Sequence, residues 1–486
     1  MRIISKEKRI AFSGVKWMTI STFTTTIIAV LRLSILTRFL DKSDFGIVAL
    51  LTFVLGLTQT FADLGFASSI MHKQGLTKKE FAALYWIQLI VFVILYVIIS
   101  AFSPMIASFY NEPSLTYLLP LSLFDLVFCG IGRLYDTVLQ KELKFKTIAI
   151  RNIVCSLISL AVAIILAIEG YGVYSLVIST LFQTFTNNLW NAIAGQRYYK
   201  LQFSVSIKES IALIKIGIYQ MGSQIVDYFS SKLDILIIGK LLGTELLGIY
   251  SLAKELASKI ILLINSIVNR VMLPFLSKSQ DDDMKLRKMY IQVVSSLAFI
   301  NFPVCMVICV FSTPIISILY GSAYSDVAPI LSILSIWSLF LCIGNPVGNL
   351  AITKGRTDIS FKYTLLRVLI TVPVVLMASL FSVTGIAWGQ VLVGVFMFFV
   401  GYRMLIYKLI KLPLKDYIGA FGNLMFITAI IGFVFYIVVN SNIFNINSSL
   451  LQLTIYGVLL FVVYSGVLLI FQRRMVLGFF KLIKIQ

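Results

Sequence analysis

The sequence predicts an all-α, polytopic membrane protein of about fourteen transmembrane helices. Three observations carry that expectation. Hydrophobic residues make up 59% of the 486 and charged residues only 13%, where a soluble domain carries about 25% charged residues. Apolar stretches long enough to cross a bilayer follow one another with short loops between them, and the basic residues collect in every second loop. One water-soluble core cannot hide this much apolar surface, so the remaining solvent is lipid.

About 20 mostly apolar residues cross the hydrocarbon core as a helix. The first such segment, 14–37, follows the basic start MRIISKEKRI. No small-residue cleavage site follows a short apolar region, so it reads as a retained span and not as a removable signal peptide. Segments 45–68, 81–107, 114–139, 148–168 and 171–194 complete a first group of six. A second six runs 211–239, 246–275, 290–319, 326–352, 361–382 and 385–407, and a last pair runs 417–440 and 449–471. The longest hydrophilic stretch, 277–288, holds Asp281, Asp282 and Asp283 among lysines, too little for an inserted soluble domain.

The cations orient the chain. With the N-terminus in the cytoplasm, the two tails and the even loops hold 29 Lys and Arg, and the odd loops hold only Arg38, Lys42 and Lys240. Cytoplasmic loops collect Lys and Arg, so both termini are expected inside, with an even number of spans. The same bias explains the formal net charge of +20 without a nucleic-acid partner.

The chain also repeats itself. Leu33-Ser34-Ile35-Leu36 matches Leu233-Asp234-Ile235-Leu236, and Gly46-Ile47-Val48-Ala49-Leu50 matches Gly248-Ile249-Tyr250-Ser251-Leu252. Phe102-Ser103-Pro104 resembles Phe311-Ser312-Thr313-Pro314, and Phe145-Lys146 with Arg151 matches Phe361-Lys362 with Arg367. Each match is weak alone, but they keep one order at an offset of about 200 residues. Six helices separate the copies, an even number, so the halves are parallel, and transporters are often built this way. The expected organisation is a six-helix lobe at 1–203, a second at 204–412, and an extra helix pair with a basic tail at 413–486.

Several functions are excluded or disfavoured. Cys129, Cys155, Cys305, Cys309 and Cys342 all lie in apolar stretches and read as small core residues, not as a disulfide framework. The single histidine, His72, supports neither a metal site nor a His-based triad. No Gly-rich phosphate loop ending in Gly-Lys-Ser/Thr is present, which argues against an ATP-driven pump. The loops are too short for the external catalytic domain of a membrane polymerase. The chain is expected not to be an enzyme and to need no cofactor, with proton or sodium coupling left open.

The layout resembles the polysaccharide transporter branch of the multidrug/oligosaccharidyl-lipid/polysaccharide exporter superfamily. The resemblance covers nearly the whole chain. It is carried by Arg32-Leu33-Ser34-Ile35-Leu36-Thr37-Arg38-Phe39-Leu40 with Asp44-Phe45-Gly46, by Phe61-Ala62-Asp63-Leu64-Gly65-Phe66, and by Lys232-Leu233-Asp234 with Gly248-Ile249-Tyr250. It implies two lobes around a cavity open alternately to each side, in a bacterial inner membrane. It further implies a flippase for lipid-linked oligosaccharide of the O-antigen, colanic-acid or teichuronic-acid type.

Charge inside a bilayer is expensive, so intramembrane ionisable residues are candidate sites. Arg151, Lys215, Arg270 and Arg367 lie near cytoplasmic helix ends, where snorkelling accounts for them. Arg32 and Lys232 lie deep in their spans and are equivalent in the repeat. Snorkelling to the outer surface and lining of a cleft both fit them. In span 7, Gln220, Gln224, Asp227, Ser231 and Asp234 fall at i, i+4, i+7, i+11 and i+14, one stripe along a helix. Facing lipid, that stripe would cost several kcal/mol, at about 2.5–3.5 per central charge. It must face protein or water, as a helix–helix contact or as a cavity wall.

In span 8, Glu255 precedes Lys259 at i, i+4, with Lys254 alongside. Span 2 aligns Thr52, Gln59 and Asp63. Span 4 holds Asp125, Arg133, Asp136 and Gln140, where Arg133 and Asp136 can pair at i, i+3. In span 10, Asn345 and Asn349 flank Pro346 and Gly348, where a hinge and a kink without function fit equally.

The expected function is secondary transport of an undecaprenyl-pyrophosphate-linked oligosaccharide outward. Arg32, Lys232, Gln220, Gln224, Lys254 and Lys259 are the candidate substrate residues, and Asp63, Asp227 and Asp234 the candidate ion-coupling carboxylates. The alternatives are a multidrug or cation exporter of the same superfamily and, from another class, a membrane glycosyltransferase or polymerase. Expected partners are the lipid-linked oligosaccharide, membrane lipids and polysaccharide assembly proteins, around a monomer.

Overall fold

Fourteen long helices account for most of this computed structural model. It describes residues 2–63, 65–73, 75–202, 207–277, 282–441, 446 and 448–472. Side chains at 2–12, 68–69, 72, 207–221, 223 and 266–277 lie outside that description. The helices are α1 (Arg2–Leu36), α2 (Lys42–Ala62), α3 (Lys78–Ala101), α4 (Leu115–Lys141), α5 (Phe145–Ile168), α6 (Val173–Gly195) and α7 (Ile207–Leu241). They continue with α8 (Gly243–Ser277), α9 (Asp283–Val310), α10 (Val327–Thr353), α11 (Thr357–Ser379), α12 (Val383–Ile410), α13 (Gly422–Asn440) and α14 (Ser449–Phe471). Among the described residues the regular elements are all helical.

Among the described residues, eleven of the fourteen are long and apolar enough to cross a membrane. The other three, α6, α7 and α8, have 23, 35 and 35 residues, so length is not what they lack. Polar side chains lower the hydropathy of α6, which carries Gln183, Thr184, Thr186, Asn187, Asn188 and Asn191, while parts of α7 and α8 lie outside the described side chains. Of the expected fourteen spans, eleven are matched in both length and apolarity among the described residues.

Local chemistry sets the helix starts. At α3 the Glu80 amide donates to the Thr77 hydroxyl at 3.2 Å, and the Thr77 amide donates to the Glu80 carboxylate at 3.0 Å, a full capping box. The repeat reappears as structure. Ser103–Tyr110 and Ser312–Leu319 are both eight-residue helices, each entered through a phenylalanine, Phe102 or Phe311. Pro104 and Pro314 fall in their first turns, where a missing N–H loses no intrahelical bond.

By packing, the chain forms two compact units, Met1–Ser251 and Leu252–Gln486. In the first, α4 packs on α6, α3 and α2; α5 packs on α1 and α6; and α7 packs on α2. An aromatic cluster of Phe81, Tyr85 and Tyr135 closes one end, with Tyr199 stacked on Phe81 at 4.8 Å between centroids. In the second unit, α10 packs on α9 and α12, and α13 joins through α9. Helix α14 lies against α13 and the Ser312–Leu319 helix. Tyr417 stacks between Phe398 and Tyr402, with each pair of rings 14° from parallel. Large side chains such as Leu369, Leu392, Phe433 and Phe461 stay exposed, as a lipid-facing surface requires.

Two repeat-related glycines sit where backbones meet. A Cβ on Gly46 of α2 would lie 1.8 Å from the Thr244 carbonyl oxygen, and one on Gly248 of α8 would lie 1.8 Å from the Lys42 carbonyl oxygen. The first turns of α2 and α8 thus approach each other reciprocally, through the one residue type that leaves room.

Candidate functional site

The polar residues of the first unit form a connected ladder. Gln59 and Asp63 lie one turn apart at the end of α2; Asp125, Cys129 and Arg133 lie one turn apart along α4. The two helices run parallel and their polar rows meet. Gln59 Nε2 donates to Asp125 Oδ2 at 2.5 Å, and Arg133 Nε donates to Asp63 Oδ1 at 3.0 Å. The Cys129 thiol lies 3.6 Å from Asp125 Oδ2, and Asn188 of α6 lies 3.9 Å from the Cys129 sulfur. Below this, Arg151 Nη1 on α5 donates to Asp136 of α4 at 2.7 Å and also to Asn191 of α6. Gln140 donates to the other Asp136 oxygen at 2.8 Å.

Two residue-level expectations change here. Arg133 ion-pairs with Asp63 and not with its helix neighbour Asp136, because α2 brings a carboxylate directly onto the guanidinium. Arg151 does not snorkel: it is 7% exposed, its charge met by Asp136. Cys129 belongs to an apolar cluster with Ala62, Phe92, Leu123 and Leu126, as expected, and its sulfur also meets Gln59, Asp125 and Asn188. The other cysteines are free thiols, and Cys305 and Cys342 belong to the core of the second unit.

Arg32 of α1 is docked on α6. Its Nη2 donates to the Leu176 carbonyl at 3.0 Å, the Ser179 hydroxyl at 2.6 Å and the Thr180 hydroxyl at 3.0 Å. Asp234 of α7 is 2% exposed; it accepts from the Tyr250 hydroxyl at 2.6 Å and from the Ile235 amide at 3.0 Å. Along the same stripe, Gln224 and Lys232 are half-buried and Asp227 is exposed, while the Gln220 side chain lies outside the described residues. The stripe therefore passes from an exposed carboxylate to a buried one within two turns. Also on α7, the Tyr228 hydroxyl donates to the Phe53 carbonyl of α2 at 2.9 Å.

In the second unit, Lys259 and Glu255 form the i, i+4 ion pair expected from their spacing. Lys254 stands over the Trp337 ring at 5.7 Å. Asn265 accepts from Asn301 Nδ2 at 3.2 Å, a buried contact between α8 and α9. Pro346 is accommodated within an unbroken α10, flanked by Asn345 and Asn349. The side chains of Lys215 and Arg270 lie outside the described residues. The structure thus joins Asp63 to span 4 and Arg32 to span 6, while Lys254 and Lys259 belong to a separate unit.

Many apolar helices with charge buried among them define a polytopic membrane protein, and its fold is that of the multidrug/oligosaccharidyl-lipid/polysaccharide exporters. The fold agrees with solved members. A lipid II flippase MurJ in an inward closed conformation matches with a TM-score of 0.72 at 17% identity, over 93% of this chain and 98% of that one. An inward-facing multidrug resistance MATE family transporter matches with a TM-score of 0.62 at 16% identity, over 81% and 99%. Within that class the chain belongs to the polysaccharide biosynthesis protein family, whose model matches residues 35–329. It is 28% identical to the teichuronic acid biosynthesis protein TuaB of Bacillus subtilis (strain 168), over 87% of each chain. It is 27% identical to the lipopolysaccharide biosynthesis protein WzxC of Escherichia coli (strain K12), over 85% of this chain and 84% of that one.

Proposed function

We infer that the chain is a flippase that moves a lipid-linked oligosaccharide outward across the bacterial inner membrane for surface polysaccharide synthesis. One observation carries this reading: a chain with an exporter fold is related over most of its length to proteins named for teichuronic acid and lipopolysaccharide biosynthesis. The oligosaccharide travels on undecaprenyl pyrophosphate, both termini lie in the cytoplasm, and the protein works as a transporter without covalent chemistry. The lobes at 1–203 and 204–412 alternate access to a cavity between them, with 413–486 as an accessory pair.

The physical logic is electrostatic. The pyrophosphate head is anionic, and a membrane potential negative inside drives it outward by about 2.3 kcal/mol per charge per 100 mV. Arg32, Lys232, Lys254 and Lys259, with Gln220 and Gln224, offset its desolvation along the path. Asp63, Asp227 and Asp234 are the carboxylates assigned to ion coupling. A multidrug exporter shares the fold, but cationic drugs favour an acidic path, and the cations Arg32, Lys232, Lys254 and Lys259 lean the other way.

The test is complementation. In a bacterial strain deleted for its own flippase, the chain should restore surface polysaccharide and relieve accumulation of the lipid-linked precursor. Normal membrane insertion without restoration, together with restored dye efflux, would replace this reading with the multidrug one.

A further inference from the structure

Asp125 differs from Asp63 and Asp136 in what surrounds it. It lies in the middle of α4 and is 5% exposed. Its hydrogen-bond shell is neutral: the Gln59 amide at 2.5 Å, the Cys129 thiol at 3.6 Å and the Thr184 hydroxyl of α6. By contrast Asp63 and Asp136 each receive a guanidinium directly. Arg133, two turns along the same helix, exerts an attractive field on Asp125, but its guanidinium is engaged by Asp63.

The other faces add little charge. Helix α6 carries no charged residue and only Tyr174 at its far end; α3 presents Tyr96 beside Phe124; α2 presents Asp63, already paired. A bare carboxylate in such surroundings is costly because neutral donors replace water only in part. A metal ion would need several oxygen ligands, whereas the groups named here include an N–H and an S–H donor aimed at Asp125 Oδ2. A proton needs only the carboxyl itself.

We propose that Asp125 is an exchangeable proton site, loaded when its carboxylate takes up one proton from the aqueous phase and unloaded when it returns that proton on the other side of the membrane. Release leaves one negative charge among Gln59, Cys129 and Thr184, so the contact between α2, α4 and α6 tightens or loosens with occupancy. The site thereby links a proton to the helices that carry Gln59 and Asp63. This rests on the flippase reading but is tested apart from it.

The experiment uses the full chain purified into lipid nanodiscs, with the proton alone as probe. Infrared difference spectra recorded as pH is raised report loss of the protonated-carboxyl C=O band. The wild type should show this band, Asp125→Asn should lose it, and Asp63→Asn should keep it. Asp125→Glu should keep it at a shifted frequency, which guards against a folding defect in the Asn variant. A band unchanged in Asp125→Asn, or lost only in Asp63→Asn, overturns the proposal. In the complementation strain, Asp125→Asn should restore at least tenfold less polysaccharide at equal protein level. Wild-type restoration with an unchanged band in Asp125→Asn would sink the proton site and leave the flippase standing. Absence of restoration by the wild type, with the band behaving as expected, would do the reverse.

Discussion

Arg151 shows how a single side chain holds helices together in this protein. Its guanidinium joins Asp136 of α4 to Asn191 of α6 from a position on α5, and little of it is exposed. A buried pair adds little over a well-packed apolar one, but removing one member leaves an uncompensated charge. Arg151→Ala should therefore destabilise the protein by about 3 kcal/mol. Arg151→Met combined with Asp136→Leu should recover most of that loss in chemical unfolding in detergent. Full stability in Arg151→Ala would show the pair to be idle. Arg32 is a different case: it is docked on α6 and also proposed on the substrate path. Arg32→Ala with Lys232→Ala should lower restored polysaccharide about tenfold, equivalent to about 1.4 kcal/mol, at unchanged protein level. Arg32→Lys should recover part of it, since a point charge replaces a planar fork. Full restoration by the double variant would leave these residues a structural role alone. The contrast between the two arginines also marks what sequence could disclose. That charges sit inside spans is legible from composition along the chain. That Arg151 meets Asp136 and Arg133 meets Asp63 is not, because helix periodicity orders residues within one helix and is silent on which face of which neighbour they reach.

At the scale of elements, what repeats is what was legible. The shared order of Phe102-Ser103-Pro104 and Phe311-Ser312-Thr313-Pro314 predicted equivalent segments, and both fold as eight-residue helices at equivalent points. The polar rows of α2 and α4 were legible separately as i, i+4 spacings, yet the rungs between them required the parallel packing of two helices 66 to 70 residues apart in sequence. Gly46 and Gly248 were legible as repeat mates; their reciprocal backbone contact was not. That contact makes a prediction. Because a backbone carbonyl and not a flexible side chain blocks the space, Gly46→Leu should force the starts of α2 and α8 apart. A cysteine at Leu247, fully buried here, should then react several-fold faster with a thiol reagent than in the Gly46 parent. Unchanged protection would mean that the helices accommodate the side chain in place.

For the whole molecule the strongest constraint is the distribution of cations. Insertion is governed by Lys and Arg near span ends, and acidic residues contribute little, so 29 cations on one side against three on the other leave little room for the opposite orientation. The structure supplies exposed positions at which to test it. Met284, in the first turn of α9, is 62% exposed; Phe381, between α11 and α12, is 84% exposed. Between these positions lie α9, α10 and α11, three spans, so they must sit on opposite sides of the membrane. In a background without the five native cysteines, Phe381→Cys should be labelled in intact cells by a membrane-impermeant reagent, as should Ser441→Cys after α13. Met284→Cys should be labelled only after permeabilisation. Labelling of all three from outside would break the odd count of spans between positions 284 and 381. A uniform reversal would preserve the helix count but invert the protein, placing the basic loops outside, against the preference of Lys and Arg for the cytoplasmic side.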